Sequence, residues 1–141
     1  GSEHALVLHS DDGLDEISIA APTRGFELRA GDISPIEIDP AALGYAHNSL
    51  GGLQVETAAD SANLIRGALA GDDDAVKVKA RAIIALNAGA GIYVSGLANS
   101  LASGIAVAEQ AMASGAAVQK LEAFVAFTQA LAQEQAGAPG S

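Results

Sequence analysis

The 141-residue chain carries 17 acidic against seven basic side chains, a net charge of −10, and half of its residues are apolar. That is enough for one domain with a buried core, and the charge argues against nucleic-acid or anionic-membrane binding, which needs a basic patch that seven scattered Lys and Arg do not make. The absence of cysteine excludes disulfides, Cys-ligated zinc and a Cys nucleophile. A cytoplasmic protein with no membrane and no nucleic-acid partner is the expectation.

Residues 1–2 read as a cloning scar, 3–133 as one α/β domain and 134–141 as a disordered tail or linker, so the chain reads as a piece of a longer protein. "ALVLHS" (Ala5 to Ser10) is an unalternating apolar run, the pattern of a strand covered on both faces, as inside a parallel sheet. An acidic loop follows at its C-terminal end, where α/β sheets carry ligands. "EISIAAPT" is a short alternating run stopped by Pro22. "RGFELRAGDISPIEID" reads as a hairpin turning at Gly31-Asp32. A three-residue loop, Ala30 to Asp32, sets Phe26 opposite Ile36 and Arg24 opposite Ile38, with Phe26, Leu28, Ile36 and Ile38 on one face. Pro35 marks the second hairpin strand as an edge.

After Pro40 the pattern turns helical, with a glycine-broken loop over Asn48 to Thr57. "ADSANLIRGALAG" predicts a short helix capped by Asp60 or Ser61 and ended by Gly71. Asp72, Asp73 and Asp74 open a longer helix, about Asp74 to Ser95, where acidic residues accept free N–H bonds and meet the positive end of the helix dipole. Val76, Ile83, Ile84, Ala88 and Ile92 are its expected buried side, with Gly89 and Gly91 admitting a close neighbour. The run Ala82 to Ala98 falls short of the roughly 20 apolar residues of a membrane span and reads as a core helix. The last helical region covers about Leu101 to Gln133 and breaks at Ser114-Gly115. Val118, Leu121, Val125 and Leu131, with Phe124 and Phe127 beside them, form its expected core stripe. The fold expected is a short mixed sheet, one buried parallel-type strand plus a hairpin, packed against C-terminal helices.

The chemistry concentrates in "HSDDGLDEIS", His9 to Ser18, where Asp11, Asp12, Asp15 and Glu16 crowd around Gly13. Like charges at 4 Å repel by about 1 kcal/mol even in water. Two readings of the residues stand: a solvated acidic loop, or carboxylates converging on a cation. Magnesium takes one or two protein carboxylates and completes its octahedron with phosphate oxygens and water. The histidines, His4, His9 and His47, have no zinc-ligand spacing, and His9 reads as a partly buried side chain at a strand end. No G-x-S-x-G, dinucleotide fingerprint or P-loop occurs. "KVKAR", with Lys77, Lys79 and Arg81, reads as a solvated helix face on which Lys77 and Arg81 share a side.

"ALVLHSDDGLDEIS" resembles the strand and loop of the anthranilate phosphoribosyltransferase family, a strand followed by V-H-G-x-D-G-L-D-E. "LNAGAGIYVSGLA" and "SGAAVQKLEAFVAFTQ" resemble that family's C-terminal helices. The resemblance covers Glu3 to Gln133. It implies the C-terminal portion of a phosphoribosyltransferase α/β domain from tryptophan biosynthesis, transferring phosphoribosyl from phosphoribosyl pyrophosphate to anthranilate. Carried onto this sequence, it implies magnesium held by Asp15 and Glu16, with Asp12 and Gly13 shaping the loop. Ser10 stands where the family often has glycine. The family's glycine-rich pyrophosphate loop, its K-H-G-N segment, the arginine that engages anthranilate and the N-terminal helical domain all lie upstream of the resembling region. No catalytic residue is therefore assigned here, substrate-binding residues are left open, and the isolated chain is expected to be inactive. Two other readings stand beside this one: a non-catalytic fragment that self-associates into a homo-oligomer through an unpaired sheet edge, and a nucleoside phosphorylase-like fragment, which lacks the D-G-L-D-E match.

Overall fold

The computed structural model describes residues 1–137. Three strands, β1 (His4–Ser10), β2 (Thr23–Arg29) and β3 (Asp32–Ile38), precede four helices, α1 (Ala58–Ala70), α2 (Ala75–Val94), α3 (Leu101–Ala113) and α4 (Ala116–Gly137). Of the tail expected at 134–141, α4 takes the first part and residues 138–141 lie outside the described residues.

The strands form one antiparallel sheet in the order β1-β2-β3. The expectation of a mixed sheet with a parallel-type β1 is therefore corrected: β1 pairs antiparallel with β2 and is an edge among the described residues. Its apolar run is not covered on both faces. Leu6 and Leu8 pack against the core, while Val7 between them is 71% exposed.

The hairpin register also differs. The loop is the two residues Ala30-Gly31, both in the left-handed region (φ 52° and 92°), so Arg29 faces Asp32 and Phe26 faces Pro35 rather than Ile36. Two central residues with positive φ make the tight turn whose twist matches that of the strands. The register brings Arg24 opposite Glu37, and Arg24 Nε donates to Glu37 Oε2 at 2.9 Å. A cross-strand charge pair thus replaces the expected Phe26–Ile36 pairing. Ile36 and Ile38 turn inward with Thr23, and Phe26 and Leu28 turn to the other face. Pro35 does lie on an edge strand, where its missing N–H costs no ladder bond.

Between β1 and β2 the expected alternating run is not a strand. Its Ile17, Ser18 and Ile19 are nevertheless fully buried, and the two isoleucines head the core with Ile38, Leu86, Ile105 and Met112. Residues 41–44 make a single turn in place of the helical start expected after Pro40. Thr57, one turn earlier than anticipated, caps α1 by accepting from the Asp60 N–H, and Gly71 ends the helix at φ 84°. Asp74 caps α2, accepting from the N–H groups of Val76 and Lys77.

The buried side of α2 is out of phase with the expected stripe. It consists of Ala80, Ala82, Ala85, Leu86, Gly89, Ala90 and Tyr93, whereas Ala88 is exposed and Val76, Ile83, Ile84 and Ile92 are half-buried. The reason is close approach to α3: a Cβ on Gly104 would lie 2.3 Å from the Gly89 carbonyl oxygen, and one on Gly89 would lie 2.6 Å from Ile105 Cα. Small residues let the helices meet at backbone distance, and bulkier ones move to the flanks. Gly91, expected to share this role, faces open space.

The break at Ser114-Gly115 bends the α3–α4 pair by 72°. On α4, Val118, Leu121 and Val125 are half-buried, but Phe124, Phe127 and Leu131 are exposed, so only half of the expected core stripe packs. No single helix among the described residues is long and apolar enough to cross a membrane.

Candidate functional site

The acidic loop leaves the C-terminal end of β1 and is built from its own hydrogen bonds. Ser10, fully buried, donates its N–H to the Leu14 carbonyl at 2.9 Å, and its hydroxyl donates to the Pro22 carbonyl at 3.3 Å. The N–H of Gly13 returns to the Ser10 carbonyl at 3.0 Å, closing a turn in which Gly13 sits at φ 93°, a conformation that other residues adopt only with strain. Asp12 accepts from the Ser18 hydroxyl at 2.5 Å and more weakly from the Leu14 N–H at 3.4 Å. Desolvation works to raise the Asp12 carboxyl, but hydrogen bonding, led by the Ser18 hydroxyl and helped by the Leu14 N–H, outweighs it and holds it below the usual carboxylate value.

Asp15 and Glu16 stand differently. Both are exposed, and among the described residues neither carboxylate has a hydrogen-bond or ion-pair partner. Desolvation and repulsion from Asp15 raise the Glu16 carboxyl above its ordinary value. Elsewhere on the loop, Asp11 pairs with Arg24, which also pairs with Glu37. The chain thus gathers the acidic residues and then divides them. Asp11 shares Arg24 with Glu37, Asp12 is used in the loop's own hydrogen bonds, and Asp15 and Glu16 are left without a partner among the described residues.

The pair is anchored from outside the loop. The Asn87 side chain on α2 accepts from the Ile17 N–H at 2.9 Å and donates to the Ile17 carbonyl at 2.9 Å. Beyond Ile17, the Ser18 N–H donates to Thr23 Oγ1 at 3.1 Å and the Ile19 carbonyl accepts from the His47 N–H at 2.8 Å. Asn87 carried a signal in the sequence, since a lone amide inside an apolar helix must find partners.

Magnesium can be tested against this donor set. Among the described residues no group of three or more His, Asp or Glu is arranged to hold a metal, so a centre closed by protein ligands alone does not fit. Two exposed, mutually repelling carboxylates do fit a magnesium ion that keeps several waters and is shared with phosphate oxygens.

The other expected sites resolve otherwise. His9 is exposed, not partly buried, while His4 bonds Glu27 Oε1 at 2.9 Å beside Tyr93. Tyr93 donates to that same Glu27 oxygen at 2.5 Å, which with His4 lowers the Glu27 carboxyl. The "KVKAR" side chains are engaged rather than merely solvated. Lys77 and Arg81 both reach Asp72, its carboxylate at 2.5 Å and its carbonyl at 2.7 Å, and Lys79 reaches the Gly51 carbonyl at 3.0 Å. A cleft of about 560 Å³, lined by Tyr45, Leu69, Arg81, Glu109 and Met112 among others, includes none of the acidic-loop residues.

Residues 1–118 match the family described as "Glycosyl transferase family, a/b domain", and the chain belongs to it. Its relatives narrow this. It is 51% identical over 128 residues to the anthranilate phosphoribosyltransferase of Teredinibacter turnerae and 55% identical over 128 residues to that of Saccharophagus degradans, each match covering 91% of this chain and 38% of the relative. The chain therefore spans little more than a third of the length of these relatives. The crystal structure of the Thermus thermophilus anthranilate phosphoribosyltransferase superposes with a TM-score of 0.74 at 32% identity, over 89% of this chain and 36% of that one. A variant of the Saccharomyces cerevisiae enzyme, with Mg bound, shares the fold at 20% identity and a TM-score of 0.68, over 84% of this chain and 34% of that one. The resemblance read from D-G-L-D-E is thus met by whole-chain likeness to proteins of that name.

Proposed function

We propose that this chain is the part of an anthranilate phosphoribosyltransferase that presents Asp15 and Glu16 to a magnesium ion on the diphosphate of phosphoribosyl pyrophosphate. The observation that carries the reading is the state of the pair: exposed, consecutive in the chain, with Glu16 raised by desolvation and then by Asp15, and, among the described residues, with no hydrogen-bond or ion-pair partner for either carboxylate. When bound, magnesium offsets negative charge on the diphosphate. Asp15 and Glu16 orient that ion, and Asp12 and Gly13 give the loop its shape. The resemblance assigns the groups that position anthranilate and the sugar to segments upstream of this one. Because phosphoribosyl transfer depends mainly on positioning and electrostatic stabilisation, the 141 residues alone form no product.

Two measurements test this. Amide resonances of Asp15 and Glu16 shift when magnesium is titrated in the presence of phosphoribosyl pyrophosphate, and do so far less in Asp15→Asn and Glu16→Gln. A response that both variants retain ends the reading. A turnover assay with anthranilate, phosphoribosyl pyrophosphate and magnesium gives no product with the chain alone, and clear product formation would refute that expectation.

A second reading, self-association of the chain as a homo-oligomer, is favoured by the outward face of the sheet. Val7, Phe26 and Ile33 there are 71%, 56% and 72% exposed on adjacent strands. Sedimentation at rising concentration tests it, and a monomer throughout overturns it.

A further inference from the structure

The acidic pair hangs between two anchors. On one side Leu14 is fixed by the Ser10 N–H, and on the other Ile17 is fixed by Asn87. Between them, among the described residues, the backbone N–H groups of Asp15 and Glu16 make no hydrogen bond within the chain. Their direction is therefore set by the ends of the span.

The Ile17 anchor is unusual in kind. Asn87 meets both polar groups of a single residue's backbone, donor to acceptor and acceptor to donor, as a neighbouring strand would. Its Nδ2 also donates to the Ile83 carbonyl at 3.0 Å, one turn back on α2, which fixes the orientation of the amide. The Ile17 side chain is fully buried in the core that α2 helps to form. The residue directly after Glu16 is thus held by its side chain in the core and by its backbone to one helix.

We infer that Asn87 is the positioning residue of the acidic pair: by clamping the backbone of Ile17 to α2, it sets where the Asp15 and Glu16 carboxylates stand relative to the rest of the site. This rests on the magnesium reading for its consequence but not for its geometry. The role belongs to the amide in particular. Aspartate keeps the acceptor for the Ile17 N–H, loses the donor to its carbonyl and sets a third negative charge near Glu16. Alanine loses both bonds.

The test uses the isotope-labelled 141-residue chain as wild type, Asn87→Ala and Asn87→Asp. It reads amide exchange at Ile17, the resonances of Asp15 and Glu16, the magnesium concentration for half-saturation with inorganic pyrophosphate as probe, and the unfolding midpoint. Asn87→Ala is expected to speed Ile17 exchange and raise the half-saturating magnesium concentration by about tenfold or more, the usual effect of losing a residue that orients a metal ligand. Protection in α3 is expected to persist. Asn87→Asp is expected to keep Ile17 N–H protection and still weaken the magnesium response. A folded Asn87→Ala that lowers only the unfolding midpoint, with half-saturation and the two acidic resonances unchanged, overturns the inference. If Asn87→Ala does not fold, Asn87→Asp decides by the same readouts. If wild type gives no magnesium response, the magnesium reading fails on its own. The positioning inference then stands or falls on whether the variants move the Asp15 and Glu16 resonances.

Discussion

The seam between α2 and α3 and the sheet are finished to different degrees. In the seam, Gly89 and Gly104 bring two backbones into contact, and Leu86, Ala90, Ile105 and Met112 are closed off from solvent by residues of the same chain. The sheet is closed on one face only. Leu6, Leu8, Ile36 and Ile38 lie against the core, while Val7, Phe26 and Ile33 remain open to water. The lesson is that the α2–α3 seam is closed by the chain itself, and that the acidic loop sprouts from a sheet that is open on one face.

The largest effect should come from the seam. A Gly104→Val substitution places its Cβ 2.3 Å from the Gly89 carbonyl oxygen, a backbone atom that cannot swing aside. We expect a loss of about 3 kcal/mol or more in urea unfolding, or no folded protein. A loss below about 1 kcal/mol would mean that the two helices slide easily and the contrast is lost. Gly91 on the same helix faces open space, so Gly91→Ala should instead stabilise by about 0.5–1 kcal/mol.

Next comes Gly25→Ala, whose Cβ would lie 1.8 Å from the Val7 carbonyl oxygen. The clash is tighter than at Gly104, but β1 is an edge strand that can draw away from β2, so the cost should be about 2 kcal/mol, within the range for overpacking. Hydrogen exchange should show the damage falling on β1 and sparing α2 and α3. Uniform loss of protection would show that sheet and helices unfold as one unit.

Phe26→Ser should change stability by less than about 1 kcal/mol, because the ring is already largely in water. It should weaken any concentration-dependent association seen in sedimentation. Equal association of wild type and variant would exclude the outer face as the contact.

The smallest effect concerns the loop. The Glu16 carboxyl is raised in the folded chain, by desolvation and then by Asp15, so folding favours its protonated form. Its contribution is therefore most favourable below the unfolded carboxyl value and is lost as pH rises through the folded value. Without metal, Glu16→Gln should raise the melting temperature at pH 7 by about 1–2 °C, an advantage that fades in acid, while weakening the magnesium response. A variant less stable at pH 7 would show that Glu16 is not under repulsion.

Local punctuation was legible from the residues. Gly71, Asp74 and the Ser114-Gly115 break fall where cap and stop chemistry puts them, and the acidic loop follows β1 as its pattern suggested. Quantities set by distant partners were not. Two hairpin loops differing by one residue both leave a plausible apolar face, and the observed one carries the Arg24–Glu37 pair and an alanine at positive φ. Bulk does not mark the buried side of α2, because contact with α3 demands the small residues. The exposed carboxylates of Asp15 and Glu16 could be picked out as residues, but the anchor that holds them, Asn87, lies 70 positions away from Ile17.

The hairpin turn has a consequence for how such chains can vary in length. Side chains alternate strictly along β2 and β3, so one residue gained in either strand between the turn and the charge pair would swap the two faces beyond it. Ile36 and Ile38 would go to water, and Glu37 would meet the core. A single residue gained in β3 would therefore have to be absorbed as a bulge to keep Ile36 and Ile38 inward, whereas a pair would preserve the faces without one.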